Sequence, residues 1–196
     1  MTPQDILDFW FGKDLKKNPL KNVKDWFAKN TDFDADIAEQ FTPTLEKIAA
    51  GEHADWNLTA KGSMAYILVT DQFPRNIYRN QPESFSFDTL ALTVARHGVA
   101  QGFDQELSWI ERCFYYLPFE HAEDLETQET SLLAFQNLQR SIPKQYLDYG
   151  DEVYDYAIKH WEIIKRFGRF PHRNLILQRE STPEEIAFLK EPGSSF

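Results

Sequence analysis

The stretch "VYDYAIKHWEIIKRFG", residues 153–168, decides the fold class, because its apolar side chains recur at helical spacing. Steps of three and four residues place side chains on one face of an α-helix. Gly168 follows the last apolar residue of the series, and glycine commonly ends a helix. The predicted apolar face carries Val153, Tyr156, Ala157, His160, Trp161, Ile164 and Phe167.

Further helix signals extend from this stretch towards both ends of the chain. Thr2 and Pro3 form an N-cap followed by a first-turn proline, and Gly12 can end that helix. Thr182-Pro183-Glu184-Glu185 repeats the pattern with a capping-box acid. Other predicted helices run from Thr31 through Pro43 towards Gly51, from Thr59 to Phe73-Pro74, from Asp88 to Gly102, from Asp104 to Pro118, and over 123–139.

Signals for β-strands are weak by comparison. No segment keeps an apolar-polar alternation, and the Asn-Gly and Asp-Gly hairpin turns are absent from the chain. We therefore predict an all-α protein, a single domain over residues 1–196 with seven to nine helices. The simplest arrangement is a stack of antiparallel helix pairs in sequence order.

Composition and charge exclude several classes of partner. The net charge is −10, which argues against general binding of nucleic acid or of an anionic membrane surface. No apolar run approaches the roughly 18 residues of a membrane span, and the N-terminus lacks an export signal. The one cysteine, Cys113, fits a reducing compartment and reads as a buried core thiol. These features predict a cytoplasmic protein.

Arginine is concentrated in two windows, "DQFPRNIYR" at 71–79 and residues 165–179. Together the windows hold seven basic residues and one acidic residue, a net charge of +6 in an acidic protein. Between them lies "EHAEDLETQE", residues 120–129, which has no Lys or Arg. Six of the nine arginines fall in the two windows: Arg75, Arg79, Arg166, Arg169, Arg173 and Arg179.

Two interpretations of this pattern remain open. In the first, arginines and acids pair within the protein and fix helix ends; in the second, some of them line a pocket for an anion. Proline at 74, 118 and 171 is expected to end a helix each time, leaving the N–H groups of a new helix start for an anion. If these three places converge, the predicted pocket contains Arg75, Asn76, Arg79, Glu120, His121, Glu123, Arg169, His172, Arg173 and Asn174.

Three functions follow from such a pocket. A binding module would hold a small anionic molecule or a peptide end on its arginines and asparagines. A hydrolase or lyase would use His121 or His172 as general base, with Glu120 or Glu123 orienting it. A metal site on His121 and Glu123 is disfavoured by the neighbouring arginines, so we predict no metal and no cofactor. The sequence leaves the oligomeric state open, and it predicts His160 to be a hydrogen-bonded core residue.

Four motifs carry a family resemblance: "LVTDQFPRNIYR", "FYYLPFEHAEDLETQE", "HWEIIKRFGRFPHRN" and "STPEEIAFL". In this order they resemble the bacterial domain-of-unknown-function family 924. The resemblance implies a tetratricopeptide-like right-handed helical superhelix, and it implies no activity. Two positions depart from the family pattern: Ala122 stands where the pattern has serine, and Gln178 where it has glycine. The first departure weakens any serine-based mechanism.

Overall fold

The computed structural model describes residues 1–27 and 29–195, and 72% of these residues are helical. No strand occurs among these described residues, so the predicted all-α class is confirmed. With α4 and α5 counted as the one continuous helix that they form, the described residues contain nine α-helices. The α-helices are α1 (Pro3–Phe11), α2 (Val23–Phe27), α3 (Thr31–Ala49), α4 (Ala60–Ile67), α5 (Phe73–Ile77), α6 (Asp88–Gln101), α7 (Trp109–Glu120), α8 (Leu125–Ser141), α9 (Leu147–Phe167) and α10 (Pro183–Phe188).

The chain divides into two compact units. Unit 1 comprises residues 1–79 and 83–118, and unit 2 comprises residues 80–82 and 119–196. The prediction of a single domain and the superhelical arrangement of the helices stay predictions. None of the helices formed by residues 1–27 and 29–195 combines the length and the apolar character that a membrane span requires.

Local capping signals define the helix ends that the sequence predicts best. Thr2 and Thr182 each form a capping box, in which the threonine accepts from the N–H three residues on and the acid there accepts from the threonine N–H. Thr59 accepts from the N–H of Gly62 and starts α4. Gly168 ends α9 with φ 69°, a left-handed conformation that glycine adopts without strain.

Pro74 and Pro118 were predicted to end a helix, and neither does so. Pro43 lies inside α3, which begins after an Asn30 cap, and Pro118 lies inside α7. Between α4 and α5 the chain makes a π-helical turn over Leu68–Gln72. The π-helical turn continues directly into α5, and Pro74 lies in the first turn of α5.

Pro171 alone among the three proline steps begins a new turn, the 3₁₀ turn Pro171–Arg173. The predicted new helix starts with available N–H groups after Pro74 and Pro118 are therefore wrong. Because an anion site at a helix N-terminus needs those N–H groups, neither step supplies one.

An aromatic cluster forms the core of unit 1. The ring of Trp10 lies 6.3 Å from Trp26, 5.6 Å from Phe73 and 5.5 Å from Phe114. The Trp26 indole N–H donates to the Trp10 carbonyl at 3.0 Å, which ties α2 to the end of α1. Cys113 lies in α7, next to Phe114 in sequence, and is buried, as predicted.

Helices α8 and α9 form the main packed pair of unit 2. The α9 residues Ile163 and Ile164 are buried with Phe170, and Phe167 and Phe188 pack against them. Of the predicted apolar face of α9, Ala157, His160 and Ile164 are buried and Tyr156 is 41% exposed. The other three positions are half-buried: Val153, Trp161 and Phe167. The buried face is thus centred nearer the end of α9, where the chain leaves the helix for the 3₁₀ turn.

Candidate functional site

The ring of Phe170 is the centre of a polar cluster in unit 2. Phe170 is fully buried. Its backbone is extended, since Gly168 has already ended α9. The imidazoles of His160 and His172 lie 5.4 and 5.6 Å from the ring centroid, and the guanidinium carbon of Arg173 lies 4.5 Å above the ring. One apolar ring therefore gathers three side chains that can each carry positive charge, and the Arg173 contact has cation–π geometry.

A second contact links this cluster to the end of α7. The Nδ1 atom of His160 lies 3.2 Å from Oε1 of Glu120 and 2.8 Å from the Tyr156 carbonyl oxygen. The ring of half-buried His121 lies 6.3 Å from that of His160. Glu120 and His160 are both almost fully buried. They therefore form an internal polar pair, and His121 lies at the edge of this pair.

Glu123 and Arg179 hold the backbone of Phe170 in place. Arg179 donates two hydrogen bonds to the Glu123 carboxylate and a third to the Phe170 carbonyl oxygen at 3.0 Å. Glu123 in turn accepts from the Phe170 N–H at 2.7 Å. Both polar backbone groups of the central phenylalanine are therefore tied to one ion pair, which fixes the direction of its ring.

Arg169 and Asn174 contact the segment that leads into α10. Arg169 makes a two-pronged pair with Glu185, with hydrogen bonds of 2.7 and 2.8 Å. Asn174 accepts from Arg179 at 2.9 Å and donates to Ser181 at 3.1 Å. These contacts join the 3₁₀ turn to the N-terminus of α10, so both residues support the cluster's framework.

Burial and neighbouring charge shift the pKa values in this cluster. Burial, followed by the charge of Arg173, lowers the pKa of His172 from its ordinary 6.5 to about 4, although Glu123 acts in the opposite direction. Burial also lowers the pKa of His160 well below 6.5, and the nearby positive groups lower it further. Both imidazoles are therefore neutral near pH 7.

Glu123 stays ionised despite its environment. Burial works to raise its pKa, but hydrogen bonds from Arg179 and from the Phe170 N–H outweigh burial and lower it. A carboxylate held in this way accepts hydrogen bonds and does not take up a proton near pH 7. The contacts assign Glu123 to holding Phe170, whereas its expected role was to orient a histidine base.

The predicted site residues of unit 1 meet carboxylates of the same unit. Arg75 donates to both oxygens of Asp88, at 3.0 and 3.2 Å. Arg79 donates twice to Asp34, and Asn76 donates to the same carboxylate at 2.8 Å. The interpretation that arginines pair within the protein thus describes Arg75 and Arg79, and their convergence with the window 165–179 stays a prediction.

Most of the acidic partners lie outside the segment 120–129. Among its acids, Glu123 pairs with Arg179 and Glu120 contacts His160, while four other arginines pair with acids elsewhere. Sequence reasoning missed these partners, because each is distant along the chain or lies in another capping motif. They are Asp34 for Arg79, Asp88 for Arg75, Glu184 for Arg166 and Glu185 for Arg169.

His160 was predicted to be a core residue, and the structure makes it a candidate for the site as well. It is buried and hydrogen-bonded, as predicted, but its ring also contacts the cluster around Phe170. His160 lies eight residues before Gly168, which is about two helical turns. This spacing could have revealed that its ring lies near the end of α9. Within residues 1–27 and 29–195, no group of three or more His, Cys, Asp or Glu side chains is arranged to hold a metal ion.

Comparisons with known proteins agree on one family. A family model described as bacterial protein of unknown function (DUF924) matches residues 6–193. A solved structure of a protein of unknown function from Agrobacterium tumefaciens is 37% identical to this chain, and the match covers 96% of each chain with a TM-score of 0.76. The comparison with curated proteins gave no match.

Proposed function

Because this chain belongs to the DUF924 family of bacterial proteins of unknown function, we propose its function from its own side chains. We propose that unit 2 binds a small anion, a carboxylate or a phosphate, at His121, His172 and Arg173. The gathering of His160, His172 and Arg173 around the Phe170 ring is the observation that carries this proposal.

The position of Arg173 supports the anion assignment. Its guanidinium lies over the Phe170 ring, whose backbone is fixed by Glu123 and Arg179. A guanidinium with a fixed plane loses little entropy when it binds a planar carboxylate or a phosphate through two N–H groups. Only 6% of the surface of Arg173 is exposed. An anion beside its guanidinium would therefore meet little competing water.

The histidines supply charge when the anion arrives. His172 is half-buried and neutral near pH 7, because burial and Arg173 hold its pKa at about 4. An anion placed beside it would raise that pKa and allow the imidazole to take up a proton. His121, also half-buried, lies next to His160 and extends the same basic surface.

The proposal narrows the predicted set of ligand-binding residues. Arg75 and Arg79 each meet a carboxylate through two hydrogen bonds, so their charge is compensated within unit 1. Arg169 is compensated by Glu185 in the same way. Asn174 keeps the 3₁₀ turn in place through Arg179 and Ser181. We propose that Arg169, Asn174 and Glu120 support the anion site through position and not through contact, whereas Arg75, Asn76 and Arg79 hold unit 1 together.

The ligand class also fits the composition of the protein. A net charge of −10 favours small ligands that bind at a local basic surface over polyanions that need a broad one. We therefore propose a small anionic molecule or a peptide carboxylate end as partner, and a cytoplasmic location. Nucleic acid and membrane surfaces are not proposed as partners.

A thermal-shift titration tests the proposal directly. Phosphate, sulfate and dicarboxylates at low ionic strength should raise the Tm of the wild type in proportion to the logarithm of their concentration above Kd. His172→Gln should reduce this rise, and His97→Gln, an exposed histidine of α6, should leave it unchanged. The proposal fails if every anion stabilises the wild type and His172→Gln equally.

A hydrolase or lyase is the second candidate, favoured by one observation. The imidazole of His172 is neutral near pH 7 and half-buried, as a general base must be. Arg173, the adjacent residue, would then stabilise the negative charge that develops on the substrate. This candidate predicts turnover of an anionic ester or phosphomonoester, with a pH–rate profile that falls as His172 becomes protonated. Absence of turnover across a panel of such substrates would exclude it.

A further inference from the structure

Lysine is concentrated in one short segment of unit 1, residues 13–29. The segment holds six of the twelve lysines of the protein, two acids and no arginine, so its net charge is +4. Since the whole chain has a net charge of −10, the remaining residues carry −14. We use the name basic surface for the surface that these lysines form: Lys13, Lys16, Lys17, Lys21, Lys24 and Lys29.

The basic surface presents its charge to solvent on an anchored backbone. Each of its six lysines is exposed, and within residues 1–27 and 29–195 none of their ammonium groups forms an ion pair. The Trp10 carbonyl oxygen accepts from the Asn22 side chain at 2.8 Å and from the Trp26 indole at 3.0 Å. The Lys17 N–H donates to the Asp14 carbonyl oxygen at 2.8 Å. A partner therefore meets a positive potential on a segment that is already ordered.

One aromatic ring is exposed among these lysines. Phe27, which lies between Lys24 and Lys29 in sequence, is 62% exposed. Its ring stacks on the ring of the fully buried Phe114, with 6.1 Å between the centroids and 12° between the planes. An apolar side chain bordered by charged ones is typical of a protein interface, in which an apolar centre has a polar rim. The basic surface thus offers a partner both positive charge and one apolar contact.

The charge of the remaining protein limits which kind of anion fits the basic surface. A long polyanion such as nucleic acid would extend past the six lysines onto residues that carry −14. An anionic membrane would meet the same repulsion, and Phe27 is the one large apolar side chain within residues 13–27 that is exposed enough to insert. Lysine is a flexible point charge, whereas paired N–H contacts to a phosphate need arginine. A short acidic segment of a protein, with separated carboxylates, fits these conditions best.

We propose that the basic surface is a docking site for an acidic segment of a partner protein, and that an apolar side chain of this segment covers Phe27. The lysines accelerate association and make it sensitive to salt, because salt screens charges at an exposed surface. The contact with Phe27 contributes affinity that salt does not remove. The docking site lies in unit 1 and is independent of the anion site proposed for unit 2.

Fluorescence anisotropy with a labelled synthetic peptide tests the role of the lysines. The peptide consists of glutamates with two central leucines, and it is titrated with the full-length protein at low salt. A triple variant, Lys16→Glu with Lys17→Glu and Lys24→Glu, should raise Kd about 10- to 100-fold over the wild type. A control triple variant changes the net charge equally at exposed lysines outside the basic surface and should change Kd much less: Lys47→Glu, Lys144→Glu and Lys190→Glu.

Two outcomes of this titration would overturn the proposal. Equal Kd values in the two triple variants would mean that the peptide responds to net charge and not to the basic surface. A wild type that does not bind the peptide at low salt would exclude the docking site directly. Circular dichroism of both variants verifies that the substitutions, all at exposed positions, leave the helical fold intact.

A second peptide, with serines in place of the two leucines, tests the contact with Phe27. The wild type should bind the leucine peptide about 3- to 10-fold more tightly than the serine peptide, because only leucine buries apolar surface. In Phe27→Ser the ratio of the two Kd values should fall towards unity. Both Kd values are measured on the same protein, so a change in stability does not alter their ratio. A ratio of unity in the wild type, or an unchanged ratio in Phe27→Ser, would overturn the apolar contact.

Two further probes decide the class of partner. A labelled oligothymidine strand represents nucleic acid, and vesicles that contain phosphatidylserine represent an anionic membrane. Both should bind the wild type more weakly than the leucine peptide at the same salt concentration, because each extends over the acidic remainder of the protein. Tighter binding of either probe, lost in the triple variant of the basic surface, would overturn the assignment to an acidic protein segment.

Discussion

Arg179 and Glu123, 56 residues apart in sequence, form a two-pronged ion pair with N···O distances of 2.6 and 2.9 Å. The same two side chains bond the N–H and the carbonyl oxygen of Phe170. The pair therefore fixes the residue around which His160, His172 and Arg173 are gathered. The position of the cluster around Phe170 therefore depends on an ion pair that is not itself required to contact a ligand.

Replacing Arg179 with lysine should destabilise unit 2. Lysine keeps the charge but cannot donate to Glu123, Phe170 and Asn174 at once, as Arg179 does. We expect the free energy of unfolding to fall by about 1–3 kcal/mol, the range for lost hydrogen bonds to a charged group. Urea denaturation measures it. Arg166→Lys is the matched control, because the Arg166–Glu184 pair is solvent-exposed and should contribute about 0–1 kcal/mol.

Replacing Arg173 with lysine should weaken anion binding. The substitution keeps the charge and removes the planar group that stacks on Phe170 and offers two parallel N–H donors. We expect Kd for phosphate to rise about 10- to 100-fold, which corresponds to the loss of about 1.5–3 kcal/mol. Arg166→Lys serves again as control, since Arg166 also lies over a phenyl ring, that of Phe167, at 4.7 Å. Equal Kd values in the two variants would contradict the role of Arg173.

Helix ends were predictable from sequence where the signal is local. The caps of α1 and α10 depend on residues within one turn, so Thr2 and Thr182 revealed them. Pro74 misled the prediction because its effect depends on the π turn before it, and that turn has no sequence signature of its own. Propensity is local information, whereas the turn is a product of packing in unit 1.

The partners of the arginines were beyond sequence reasoning for a different reason. Arg79 meets Asp34 across 45 residues, and no spacing rule connects two such positions. Arg169 meets Glu185, which the sequence had already assigned to a capping box. The Glu185 carboxylate accepts from both Arg169 and the Thr182 N–H, whereas a sequence pattern assigns a residue only one role. The composition could therefore indicate that charges would pair, but not which ones.

Gly98 should resist replacement by alanine although it lies inside helix α6. Alanine normally stabilises a helix relative to glycine by about 1 kcal/mol. A Cβ at this position would lie 1.6 Å from the hydroxyl oxygen of Tyr115, a fully buried residue that also hydrogen-bonds Ser63 at 3.0 Å. We expect Gly98→Ala to reduce the free energy of unfolding by about 1–3 kcal/mol.

Gly150→Ala is the matched control for that substitution. The nearest atom to its added Cβ is the end of the Ile142 side chain at 3.0 Å, which can rotate away. We expect a change within about 1 kcal/mol in either direction, because the helix propensity of alanine offsets the closer contact. Thermal denaturation of both variants decides the matter, and equal Tm values would show that Tyr115 moves without cost.

The contact between Arg169 and Glu185 should be visible in a carboxyl titration. The hydrogen bonds from Arg169 lower the pKa of Glu185 from its ordinary 4.5 to about 2. A lowered pKa means that the pair stabilises the fold above pH 4.5 and that this contribution is lost as pH falls from 4.5 towards 2. Carboxyl ¹³C shifts should show Glu185 titrating near 2 in the wild type and closer to 4.5 in Arg169→Gln. Titration at the ordinary value in both proteins would contradict the pair.

Anion binding in unit 2 should be linked to proton uptake. In the unliganded protein, burial and Arg173 hold the pKa of His172 at about 4, so the imidazole is neutral at pH 7. A bound anion raises that pKa, because negative charge favours the protonated form. Affinity must then increase as pH falls from about 7 towards 4, over the range in which the complex binds a proton that the unliganded protein does not.

Sulfate is the suitable probe for this linkage, because its own charge does not change in that pH range. Calorimetric titrations in two buffers that differ in ionisation enthalpy should give different apparent enthalpies in the wild type, and the difference counts the protons taken up. In His172→Gln the two enthalpies should approach each other and the affinity should become nearly independent of pH. His97→Gln, an exposed histidine of α6, should behave as the wild type. If sulfate binds with the same affinity at every pH in the wild type, His172 does not face the anion, and the site must be assigned to Arg173 and His121 without it.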